Sequence, residues 1–141
     1  MVARLPPAKM VSPAAAYVAL NVGNFAACAT LPREATMQIY HKKAYADKEK
    51  AAGTNREADA AWRTMGLTGI ITSAALLTAD KCAGADDKKK LNGVIGASCV
   101  ATGAMFATNK FFDEGVKPEM KWINVAGQLG VGAYALSKAL K

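Results

Sequence analysis

Residues 91–109, LNGVIGASCVATGAMFATN, run for nineteen positions without a charged side chain, with Lys88-Lys89-Lys90 before them and Lys110 after. A helix of that length rises about 28 Å, close to the hydrocarbon thickness of a bilayer. Small residues recur along it at helical spacing: Gly93, Ala97 and Ala101 on one stripe, Gly96, Val100, Ala104 and Thr108 on the next. Such stripes let a neighbouring backbone come close, the usual basis of helix association in lipid.

Three more uncharged runs accompany this one, at 13–31, 64–79 and 122–137. The pattern predicts an all-α chain, one integral membrane domain over 1–141. Its architecture is a four-transmembrane-helix bundle, with an additional charged extramembrane helical segment (33–52) after the first span. A soluble four-helix bundle is the competing architecture, and it requires a polar face on every helix. The polar residues within these runs are Thr, Ser, Asn, Gln and Tyr, which favours lipid as the surroundings.

Composition agrees. Hydrophobic residues make up 52% of the chain but aromatics only 7%, so its helices must pack through Ala, Gly, Ser and Thr rather than bulk. The net charge of +7 is spread over connections and termini, and no basic cluster interleaves with aromatics, which argues against nucleic acid as a partner. Lys and Arg that flank apolar runs instead meet lipid headgroups. Four spans put both termini on one side. The connections 33–63 and 110–121 hold ten Lys and Arg against eight elsewhere, a difference too small to assign orientation.

The first run, PAAAYVALNVGNFAACATL, sets Tyr17, Asn21, Asn24 and Cys28 on one face. Two asparagines facing lipid are expensive, so this face is expected to point into the bundle. Residues 1–9, with Arg4 and Lys9 before the apolar run, are laid out as in a signal peptide. Leu31-Pro32-Arg33 makes a poor cleavage site, and the segment reads as the retained start of the first span. Pro32 ends or kinks the first helix. His41, the only histidine, has no thiol or carboxylate cluster at ligand spacing and is expected at an interface or in solvent, not on a metal. Gly53 stops the charged segment, and Thr54-Asn55-Arg56-Glu57 forms a capping box with Thr54 as the cap. Thr64, Thr68 and Thr72 line one side of the second run. Ala83-Gly84 stops that helix, Asp86-Asp87 opens the next, Asp113-Glu114-Gly115 closes it, and Pro118 starts the last. In that last run Asn124 and Gln128 stand four apart. The cysteines, Cys28, Cys82 and Cys99, are odd in number and form no C-x-x-C pair, so no disulfide framework is expected.

The chemistry-bearing patterns are few. All eleven acidic residues lie in connections, and no phosphate loop, nucleophile–histidine set or intramembrane ionisable residue appears. Light-harvesting antenna proteins carry a helix motif resembling E-x-x-N-G-R-x-A-M; here Glu57 and Arg63 are six apart and Asn-Gly is missing, so the chain is not read as one of them. The layout resembles the membrane-associated proteins in eicosanoid and glutathione metabolism, small four-helix membrane proteins that form trimers. Ser12-Pro13, the stretch His41-Lys42-Lys43-Ala44-Tyr45-Ala46-Asp47, and Lys117-Pro118-Glu119-Met120-Lys121 with Gly127-Gln128-Leu129 carry the likeness. That resemblance implies glutathione held by polar residues of the second and third helices. Arg63 and Lys121 keep suitable charge. However, Trp62, Thr64 and Leu67 stand where the family has His, Asn and Glu, and Met105, Thr108 and Phe112 stand near its Arg, His and Tyr.

Taken together, the residues point to a non-catalytic accessory subunit of a larger membrane complex of photosynthetic or respiratory type, in a thylakoid or mitochondrial inner membrane. Its partners are membrane lipid and neighbouring subunits. Asn21, Asn24, Asn124 and Gln128 are the candidate contacts to chlorophyll, carotenoid or lipid. The alternative is a divergent glutathione-dependent membrane transferase or isomerase using Arg63 and Lys121.

Overall fold

The computed structural model describes residues 10–53 and 55–141, and these are helical without strands. The arm expected at 1–9 and the cap expected at Thr54 lie outside the described residues. Four long helices, α1 (Pro13–Thr30), α4 (Arg56–Cys82), α5 (Ala85–Thr108) and α7 (Pro118–Ala139), form a bundle. Three short ones, α2 (Arg33–Tyr40), α3 (Lys43–Ala51) and α6 (Lys110–Gly115), cap one end of it.

Local chemistry sets most boundaries. The Ser12 hydroxyl accepts from the Ala15 amide at 3.2 Å, and Pro13 follows it at the first helical position. Leu31, forced into extended backbone by the proline after it, ends α1. Gly53, at φ 84°, takes the left-handed conformation that stops α3. Asn55 caps α4, its Oδ1 accepting from the Glu57 and Ala58 amides at 3.1 Å each.

Two boundaries depart from the sequence reading, and the first has a visible cause. The segment expected as a single helix over 33–52 breaks at His41, and the third run ends at Thr108 with α6 as a separate element. Backbone groups around His41 are taken by the chain before α7: the Lys42 amide donates to the Gly115 carbonyl at 2.9 Å, and the Lys117 amide donates to the Tyr40 carbonyl at 3.0 Å. This antiparallel bridge between His41 and Val116 replaces helical bonds that would otherwise run through the junction.

Neighbouring long helices alternate in direction. Gly66 and Gly69 of α4 face Phe25, Cys28 and Ala29 near the end of α1. On α7, Gly127 meets Leu20, Gln128 Nε2 donates to Asn21 Oδ1 at 2.9 Å, and the Tyr134 hydroxyl donates to the Val11 carbonyl at 2.7 Å. The most extensive seam joins α5 and α7, where a Cβ on Gly132 would sit 3.2 Å from the Gly96 carbonyl and 3.0 Å from Val100. Beside it lies the apolar core of Ala14, Ile95, Cys99 and Ala135, with Tyr17, Leu76, Leu91 and Val131 packed on it.

The small-residue stripes are only partly those expected. On α5 the buried row is Asn92, Ile95, Gly96, Cys99 and Gly103, while Ala97, Ala101, Ala104 and Thr108 face outward. On α4 Gly66, Gly69 and Ser73 are buried, and Thr64, Thr68 and Thr72 are exposed. Glycine, which brings backbones closest, wins the seam over alanine and threonine at neighbouring positions. Among the described residues one helix, α5, is long and apolar enough to cross a membrane, and only 28% of its most apolar stretch is buried within the protein. The other three long helices fall short by composition. α1 carries Asn21 and Asn24, and the uncharged runs of α4 and α7 are sixteen residues each.

Candidate functional site: a cavity beneath the short helices

α1, the start of α4, the end of α5 and the start of α7 do not close on one another under the cap. They leave a cavity of about 620 Å³, lined from α1 by Asn24 and Cys28 and from α4 by Trp62 and Met65. Phe106 of α5, Phe112 of α6 and Asn124 of α7 complete the lower wall, while Met37, Tyr40, His41 and Tyr45 form the roof. Aromatic rings supply much of this surface: His41 stacks on Tyr45 with centroids 5.0 Å apart, and Phe106 on Phe112 at 4.2 Å.

The charges at the cavity are matched internally. Arg33 Nη1 donates to Glu49 at 2.8 Å and Nε to Asp59 at 2.9 Å, so one guanidinium ties α2, α3 and α4 together. These two carboxylates, Glu49 first, hold the arginine above its ordinary pKa even against burial. Lys121, only 3% exposed, donates to the Asp113 carboxylate and to the Ala107 carbonyl at 3.1 Å, pinning α6 between α5 and α7. Lys42 donates to the Asp113 carbonyl, and Lys117 to the Gln38 and Ile39 carbonyls at 2.8 and 3.0 Å. These lysines satisfy backbone acceptors at the ends of short helices.

Two buried polar atoms on cavity-lining residues have no hydrogen-bond partner, His41 Nδ1 and Trp62 Nε1. His41 is 8% exposed, which corrects its expected place in solvent: the bridge to Val116 draws the residue under the cap. Burial pushes its pKa below the ordinary histidine value, with the Gly115 backbone and then the Glu49 carboxylate pulling the other way.

The sequence candidates separate into three groups. Asn24 and Asn124 both line the cavity, where Asn24 Oδ1 accepts from the Tyr40 hydroxyl at 2.5 Å and Asn124 Nδ2 donates to the Met120 carbonyl at 2.8 Å. Asn21 and Gln128 are buried against each other between α1 and α7, and Asn21 Nδ2 also donates to the Tyr17 carbonyl. That pairing serves helix association. Arg63 is exposed and lines a smaller recess with Pro32, Glu34 and Asp59, while Lys121 lines neither that recess nor the large cavity. The two cations are therefore not gathered on one wall. Sequence reasoning missed His41, Tyr40 and Trp62 as cavity residues; the available sign was an aromatic cluster, Tyr40-His41 and Tyr45, inside an otherwise charged segment. No group of three or more His, Cys, Asp or Glu able to hold a metal occurs among the described residues. Comparison with protein-family models, curated proteins and solved structures finds no match to the chain.

Proposed function

We propose that α1, α4, α5 and α7 all cross a lipid bilayer and that the protein is a non-catalytic subunit of a larger membrane assembly, of photosynthetic or respiratory kind. The observation that supports this reading is the outward display of large apolar side chains between two charged ends. Ile71 on α4 is 68% exposed, Val94 on α5 65% and Ile123 on α7 61%, with Leu67, Met105 and Trp122 beside them on the same helices. A soluble monomer rarely exposes so many large apolar groups together; lipid or neighbouring subunits would cover them. The sixteen-residue uncharged runs of α4 and α7 rise about 24 Å each, and Arg63, Lys81 and Lys138 can extend their stems to reach headgroups. A glutathione-dependent transferase has less support, because the charge of Lys121 is already met by Asp113.

The test is extraction. Membranes from cells expressing the protein, washed with alkaline carbonate, are expected to retain it, and a native gel after mild detergent should show it migrating with a large complex. Release by carbonate would overturn the membrane assignment. Recovery solely as a free monomer or homotrimer would overturn the role as a subunit. An absorption spectrum of the co-migrating band then separates chlorophyll-bearing hosts from heme-bearing ones.

A further inference from the structure

We propose that a recess at the uncapped end of the bundle binds a phosphomonoester, carried by a lipid or free in solution. Four segments meet there around a space of about 360 Å³: the start of α1, the end of α4, the start of α5 and the end of α7. Its charge sets it apart. Lys88 and Lys89 of α5 and Lys138 of α7 line it against a single carboxylate, Asp80 of α4. None of these four makes an ion pair among the described residues. At the capped end, by contrast, Arg33 is held by Glu49 and Asp59. Three ammonium groups less one carboxylate leave two positive charges on the recess. A phosphomonoester carries about −1.5 to −2 at neutral pH and matches them, whereas a diester brings only one charge.

A neutral donor stands on the same wall. Asn92 is only 9% exposed, and its Oδ1 is enclosed in protein without a partner. Its Nδ2 has no partner among the described residues either, but it keeps accessible surface. An amide N–H can only donate, so this end of Asn92 calls for an acceptor such as a phosphate oxygen. Ala85 opens α5 in the recess, and no side chain caps that helix, so its first amides also favour an anion. Of the two acids in that first turn, Asp87 is engaged by Lys90 at 3.6 Å and Asp86 lies off the recess. The wall is held in place by Tyr134, whose hydroxyl donates to the Val11 carbonyl at 2.7 Å and whose ring lies 5.6 Å from Lys138 Nζ. Met10 and Val11, 70% and 59% exposed, add an apolar edge along which acyl chains could lie. A lipid source rests on the membrane reading, and the phosphate site itself does not.

The experiment titrates the full chain, in uncharged maltoside micelles, with dioctanoyl phosphatidate in a calorimeter. Saturable binding is expected, with the matching phosphatidylglycerol, a diester, about fivefold weaker or worse and phosphatidylcholine silent. Lys88→Gln/Lys138→Gln should weaken the midpoint about tenfold or more. Lys43→Gln/Lys48→Gln removes the same charge from α3 at the other end and should leave it unchanged. Asn92→Leu should weaken it about tenfold, the loss of one hydrogen bond to a charged group. Circular dichroism checks that Asn92→Leu folds; if it does not, the lysine pairs decide. Equal binding of phosphatidylglycerol, or equal loss in the two lysine pairs, would overturn the site in favour of unspecific attraction to net charge. Inorganic phosphate that competes near the lipid's midpoint supports the site with a free phosphomonoester as its source, and saturable lipid binding that phosphate cannot displace supports it with lipid. The two proposals fail separately. Protein that resists carbonate but binds no phosphatidate keeps the membrane reading and loses the site, and carbonate-soluble protein that binds inorganic phosphate saturably does the reverse.

Discussion

The pair α5–α7 closes completely at its middle and opens at the capped end, and the difference lies in which side chains face inward. At the middle, Gly96 and Gly132 bring the backbones together with Val100 and Leu136 packed over them. At the capped end Phe106 and Asn124 occupy the same pair of helices, and a cavity follows. Glycine makes a seam that excludes everything else, whereas rings held by the short helices keep space for something else. Close packing and open space are thus divided along the length of one helix pair.

Filling the seam should break this contrast most strongly. Gly132→Leu places its first carbon 3.0 Å from Val100 and 3.2 Å from both Cys99 and the Gly96 carbonyl, with the rest of the side chain still to accommodate. Overpacking of that kind costs about 1–3 kcal/mol and sometimes more. Gly130→Leu is the control, because a Cβ there meets nothing within 4 Å. Thermal melts in micelles should show Gly132→Leu unfolding well below the parent and Gly130→Leu close to it. Similar melts for the two would mean that the seam is not where the bundle's stability resides.

A smaller effect is expected at the polar clasp between α1 and α7. Gln128 Nε2 donates to Asn21 Oδ1 at 2.9 Å, while Gln128 Oε1 is buried without a partner. Gln128→Leu alone strands the asparagine oxygen and should cost about 1 kcal/mol, in line with single interhelical hydrogen bonds in membranes. The double variant Asn21→Leu/Gln128→Leu removes both partners and should recover most of that loss. Denaturant titration of the parent, Asn21→Leu, Gln128→Leu and the double variant gives the coupling directly. Strict additivity would show that the two side chains are neighbours without being partners.

Much of this contrast was legible in the residues, and the limits have physical causes. The face of α1 bearing Tyr17, Asn21, Asn24 and Cys28 turns inward as expected, and its two amides find partners there in Gln128 and Tyr40. The starts of α5 and α7 follow from Gly84 and Pro118. Which small-residue stripe forms the seam was not legible, since alanine and glycine rows at adjacent helical angles read alike until a partner helix chooses between them. The cavity was hidden for a different reason. It depends on a bridge between His41 and Val116, residues far apart in the chain whose pairing leaves no local pattern. Polarity marks Asn24 and Asn124, but the roof that makes them cavity residues comes from the break between α2 and α3, where the charge pattern shows one continuous helix.

That roof offers the subtlest prediction. His41 has a folded-state pKa below its ordinary value of 6.5, chiefly because the cap buries it. Above that value the ring is neutral whether the chain is folded or not, and it adds no pH dependence. As pH falls below it, the unfolded chain takes up a proton that the folded chain refuses, so stability is lost between the ordinary pKa and the depressed one. The Gly115 backbone and the Glu49 carboxylate oppose part of that loss. Melts at about pH 7.5, 6.5 and 5.5 should therefore drift downward in the parent and drift less in His41→Gln, which cannot titrate. The two proteins share every other titratable group, so the difference between them isolates the histidine. Parallel drifts would mean that the ring is reached by water in the folded state and that the cap is looser than the seam by more than the packing implies.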